Sequence, residues 1–73
     1  MKEQYLDKFV GEFVKITDLE NDVNYGKLYK ITNSIVNRYG EQEIHAINNG
    51  YFLEGYTKNI DYRKSHIKKI EII

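Results

Sequence analysis

Cysteine, tryptophan and proline are missing from this chain of 73 residues. Without cysteine there is neither a disulfide nor a thiolate metal site to reinforce a small core. Without proline, an exposed sheet edge must be protected by lysines, by bulges or by closure of the sheet on itself. Net charge is missing too: eleven basic residues balance eleven acidic ones, whereas a nucleic-acid-binding domain is ordinarily strongly basic. No stretch approaches the roughly 20 consecutive apolar residues that cross a bilayer as a helix. The start, Met1-Lys2-Glu3-Gln4-Tyr5-Leu6-Asp7-Lys8, lacks the apolar run of a signal peptide. The expectation is a single domain over residues 1–73, cytoplasmic and without membrane contact.

What the chain does have is aromatic bulk, seven Tyr and three Phe. A domain this small buries only about 60% of the surface its unfolded chain exposes, so rings must supply much of the core. The neutral total hides an asymmetry. Residues 1–54 carry six Lys or Arg against nine Asp or Glu, and residues 55–73 carry five against two, so a charged partner meets a dipole. Ile, Lys, Asn and Tyr fill 33 positions; all have AT-rich codons, which suggests a low-GC bacterium or one of its phages as the source.

Along the chain, Tyr5, Leu6 and Phe9 fall on one side of a short helix over residues 2–9. After Gly11, the run Glu12-Phe13-Val14-Lys15-Ile16-Thr17 alternates. It reads as a first strand with Val14 and Ile16 inward, Lys15 and Thr17 outward. The acidic loop Asp18-Leu19-Glu20-Asn21-Asp22-Val23-Asn24 has oxygen-bearing side chains at alternate positions. It lacks the glycine and the closing Glu of a calcium loop, since Val23 and Tyr29 stand there. The stretch Tyr25-Gly26-Lys27-Leu28-Tyr29-Lys30-Ile31-Thr32 is the strand around which the chain is organised. Tyr29 and Ile31 share one face, Leu28, Lys30 and Thr32 the other, and the run extends through Ser34, Ile35 and Val36. Asn37-Arg38-Tyr39-Gly40 is turn chemistry.

Glu41–Asn48 reads as a third strand. Asn49-Gly50 before Tyr51-Phe52-Leu53-Glu54 is the strongest short-range hairpin signal, because a type I′ turn needs positive φ at both central residues. Tyr29 and Phe52 are expected in the core. A loop over residues 55–59 leads to a single helical turn at 60–64. Residues 67–73 form the last strand, with Ile70 and Ile72 inward.

Strand, loop, long strand, hairpin, helical turn and last strand together resemble a small SH3-like barrel of five strands. Locally, residues 11–31 are similar to KOW modules, in which a glycine, an alternating strand and a loop precede Gly-x-x-Gly-x-Val. Here that part stands as Gly26-Lys27-Leu28-Tyr29-Lys30-Ile31, with Tyr29 where the pattern has its second glycine. What the resemblance implies is an all-β fold; the Ala-Leu-Tyr-Asp-Tyr motif and tryptophan of proline-peptide readers do not occur.

Chemistry-bearing clusters are few. Glu41, Glu43 and His45 project from one strand face, about 7 Å apart in succession, too far to converge readily on one ion. Ser34 and Ser65 are the only serines, neither in a nucleophile elbow. A small barrel filled by its own side chains leaves little space for a substrate. The expectation is a non-enzymatic binding module with no cofactor and no metal, monomeric or weakly dimeric. Its protein partner is expected to meet Tyr25, Tyr39 and the acidic residues Asp18, Glu20 and Asp22, since tyrosine is enriched at interface centres. An alternative is nucleic-acid binding through Lys58, Arg63, Lys64, Lys68 and Lys69, with Tyr56 and Tyr62 stacking on bases.

Overall fold

The computed structural model describes residues 1–31, 35–36, 39–40, 42–43 and 50–73, with residues 35, 36, 42 and 43 described by backbone alone. The chain begins with helix α1 (Glu3–Leu6) and a 3-10 turn (Asp7–Phe9). Strands follow as β1 (Phe13–Asp18), β2 (Val23–Lys30), β3 (Ile35–Val36), β4 (Gln42–Glu43), β5 (Tyr51–Glu54) and β6 (Asn59–Tyr62). A second 3-10 turn (Lys64–His66) leads into β7 (Ile67–Ile72). Five strands form one antiparallel sheet in the order β6-β5-β2-β1-β7, and β3 pairs with β4 in a separate ribbon.

The organising stretch of the sequence becomes β2, which serves two partners in succession. Its first half pairs with β1, from Thr17↔Val23 to Phe13↔Lys27. Its second half pairs with β5, from Lys27↔Glu54 to Lys30↔Tyr51. Lys27 is paired on both sides. At this changeover a Cβ on Gly26 would collide with the Glu54 carbonyl oxygen, and one on Gly55 would lie 2.6 Å from the Lys58 carbonyl oxygen. Two glycines therefore let β2 pass against the end of β5.

Alternation places Val14 and Ile16 of β1 in the main core, joined by Leu6, Leu28, Tyr51, Leu53, Tyr62, Ile67 and Ile70. Every strand of the five-stranded sheet and α1 thus contribute to one cluster. On the opposite face of β2 and β5, Ile31 and Phe52 are buried as a second cluster with Tyr29 against it. The Tyr29 and Phe52 rings lie 5.9 Å apart, tilted. Leu28, not the Tyr29 face, supplies β2's contribution to the main core, and Tyr29 is half-buried.

Four expectations need correction. Residues 59–62 are strand, and the helical turn lies later, at Lys64–His66. Ile72 is 60% exposed although it pairs with buried Val14; it is the last residue of β7, an outermost strand of the sheet. Lys68 and Lys69 do not alternate: Asp18 pairs with Ile67 and Thr17 with Lys69, so Lys68 is the extra residue of a bulge. Both lysines reach solvent while Ile67 and Ile70 both stay buried. The long strand does not run on from β2 through Val36, which belongs to the β3–β4 ribbon. Ser34, Asn37, Arg38, most of the third strand (including Glu41 and His45) and Asn49 lie outside the described residues.

Helix α1 is held by a polar cluster. Lys30 Nζ lies 2.8 Å from Glu3 Oε1 and 3.1 Å from Asp7 Oδ2. The Tyr51 hydroxyl donates to Asp7 Oδ1 at 2.5 Å and to the Glu3 carbonyl at 3.3 Å. So short a helix would not persist alone; burial of Leu6 and this cluster fix it on the sheet.

Candidate functional site

The residues expected to form a site separate onto different parts of the molecule. Asp18 accepts from the Glu20 and Asp22 backbone N–H groups at 2.8 and 3.0 Å, and Asn21 takes positive φ at 66°. Its carboxylate therefore organises the β1–β2 turn, as Asp commonly does. Asp18 and Glu20 border a shallow groove of about 310 Å³ together with Asp61 and His66; Asp22 is exposed at the end of the turn. Tyr25 is half exposed on β2, while Tyr39 is exposed in the turn between β3 and β4. No described groove holds both tyrosines.

The basic tail is likewise dispersed. Lys58 lies in the β5–β6 turn, Arg63 and Lys64 at the second 3-10 turn, and Lys68 and Lys69 on β7. All five are exposed. Lys68 Nζ is 2.6 Å from Asn21 Oδ1, and Lys69 pairs with Glu71 at 3.1 Å. Tyr56 is 89% exposed, but Tyr62 is only 4% exposed. Its ring is part of the core and its hydroxyl accepts from Asn24 Nδ2 at 3.2 Å. Tyr62 is therefore unavailable for stacking on a base.

What the fold does assemble is an outer face on β1 and β2. Strand alternation that buries Val14 and Ile16 turns Phe13 and Lys15 outward; their partners on β2 are Lys27 and Tyr25. Phe13 is 54% and Tyr25 50% exposed. Rings and ammonium groups thus alternate both along and across the two strands: Phe13 beside Lys27, Lys15 beside Tyr25. Lys27 Nζ also stands 5.6 Å from the centre of the Tyr29 ring, within cation–π range. One groove, of about 350 Å³, opens here among Phe13, Lys27, Tyr29, Glu54 and Tyr56. A second, of about 200 Å³, adjoins it at the rim of the sheet, where Tyr25, Tyr56 and Lys58 meet the core-side residues Asn24, Leu53 and Ile60. Gly55 and Tyr56 border both.

Phe13, Lys15 and Lys27 had a readable signal. The same alternation that puts Val14 inward puts a phenylalanine on the solvent side, where its ring is half exposed. Among the described residues no three metal-ligating side chains come together.

No protein-family model, curated protein or solved structure matches this chain.

Proposed function

We propose that this chain is a non-enzymatic binding module that recognises a protein partner on the outer face of β1 and β2. The observation that carries the reading is the set of half-exposed to fully exposed rings, Phe13, Tyr25 and Tyr56, gathered around two adjoining grooves. Large rings left in water at one place are what interface centres are made of, and contiguous apolar surface rimmed by charge marks interaction sites. An SH3-like barrel is the frame proposed for it. Support comes from the strand order β6-β5-β2-β1-β7, from the 3-10 turn before the last strand and from a single core shared by both outer strands. Its size and composition suit a small accessory protein of a phage or mobile element acting on a host complex.

Relative to the sequence expectation, the contact surface moves from Tyr39 and the acidic turn to Tyr25 with Phe13 and Tyr56. Nucleic-acid binding by the basic tail loses support, because its cations are spread over three elements and Tyr62 is buried. Affinity capture from host lysate, with and without nuclease, tests the reading. Protein is expected to be retained after nuclease and lost with the double variant Tyr25→Ser, Tyr56→Ser. Retention of the same protein by that folded variant would overturn it.

A further inference from the structure

We infer that the outer face of β1 and β2 takes an extended acidic peptide segment, one in which carboxylates alternate with apolar side chains. This rests on the protein-binding reading above and names the chemistry of the partner. The first argument is charge. Lys15, Lys27 and Lys58 stand among the exposed rings, and among the described residues none has an ion-pair partner. Of the carboxylates on this face, Glu54 is buried at 9% exposure, and Glu71, opposite Lys15 on β7, is paired with Lys69, so the charge left over is positive. Of the lysines elsewhere, Lys30 is committed to Glu3 and Asp7, Lys69 to Glu71 and Lys68 to Asn21; Lys2, Lys8 and Lys64 are without an ion pair among the described residues but do not border these grooves.

Spacing is the second argument. Successive side chains on one strand face repeat at about 7 Å, and cross-strand neighbours lie about 5 Å apart. The Phe13–Lys27 and Lys15–Tyr25 pairs therefore present ring and cation at the interval an extended peptide uses for its own alternate side chains. An acidic residue over Lys15 or Lys27 would leave its neighbours over Tyr25 or Phe13, and a ring or aliphatic chain could enter the groove beside Tyr56. Polyanionic nucleic acid is the competing occupant. It is disfavoured because three lysines on a molecule of zero net charge supply little of the counterion release that drives such binding.

Selection from a displayed library of random dodecapeptides tests the inference, with three baits: the native chain, Lys15→Glu with Lys27→Glu, and Tyr25→Ser with Tyr56→Ser. The native bait is expected to enrich sequences in which Asp or Glu stands two positions from an apolar residue, so that both face the same side of an extended chain. Lysine reversal should weaken binding of a selected peptide about tenfold or more in fluorescence anisotropy, or shift selection to basic sequences. Enriched peptides without acidic excess that still require Tyr25 and Tyr56 would overturn the acidic assignment and leave the protein-binding face standing. Peptides indifferent to both variants, or no enrichment, would overturn both. Tight, salt-sensitive binding of oligo(dT) that is lost on lysine reversal would replace the peptide by nucleic acid.

Discussion

Strand β5 and the paired β1–β2 segment are both aromatic, and they meet opposite fates. All four residues of β5, Tyr51 to Glu54, are buried. Tyr51 faces the main core beneath α1, and Phe52 is covered from the other side by Ile31 and Tyr29. On β1 and β2, Phe13 and Tyr25 stay in water although their neighbours Val14 and Ile16 are completely enclosed. Ring chemistry does not separate these cases; covering elements do. The chain supplies a helix and a second hydrophobic cluster to close over β5, and the described residues lay nothing over β1 and β2. Enclosed and open rings are thus divided between two halves of one sheet, joined by β2.

The widest separation between the halves is expected on truncation of the β5 rings. Phe52→Ala or Tyr51→Ala should destabilise by about 3–5 kcal/mol. That is comparable with the whole stability of a domain this size, on the order of 4–10 kcal/mol. Chemical denaturation should find these variants largely unfolded; a native-like transition would show that β5 is not the centre of cohesion. Next comes the changeover between the halves. Gly26→Val forces a side chain against the Glu54 backbone and is expected to lower stability by about 1–3 kcal/mol, read from the urea midpoint.

A smaller effect is expected from pH, through Asp7 and the buried tyrosines Tyr51 and Tyr62. The hydrogen bond from Tyr51, then that from Lys30, holds the Asp7 carboxyl below its ordinary range. A carboxylate favoured in the folded state contributes stability above about pH 4, which is lost as pH falls through the lowered folded value. Melting temperature should therefore drop on acidification, and less steeply for Asp7→Asn. Burial first, and the Asp7 bond second, push the Tyr51 phenol up; burial also raises Tyr62. Their neutral forms favour folding below about pH 10, and that contribution fades as pH rises further. Tyr51→Phe should flatten this alkaline limb. The smallest change is expected on the open face: Phe13→Ser or Tyr25→Ser should move stability by no more than about 0.5 kcal/mol. A large loss there would mean that these rings serve the fold and would erase the comparison.

Where period-two alternation held, the sequence was a good guide. Val14, Ile16 and Ile70 lie inward as expected, and β2 is the strand that others pair with. It misled where register depends on a partner strand. The bulge at Lys68 follows from pairing with Thr17 and Asp18, which no local pattern in Ile67–Ile72 announces. Ile72 looks inward by alternation, but it closes an edge strand and stays exposed. Tyr62 resembled a surface ring among basic residues; only its place in β6, against β5, buries it. For the candidate site, Tyr25 was legible as an exposed ring. Its association with Phe13, Lys27 and Tyr56 needed the register of three strands and the close approach of Gly26 and Gly55.

The pairing of β1 with β7 carries a kinetic consequence. The β1–β2 and β5–β6 pairings join strands that follow one another along the chain, whereas Val14 meets Ile72 across nearly its full length. Loop-closure entropy must be met before that last contact yields any energy. Lysine substitutions at Ile70 are therefore expected to accelerate unfolding while leaving the refolding rate almost unchanged.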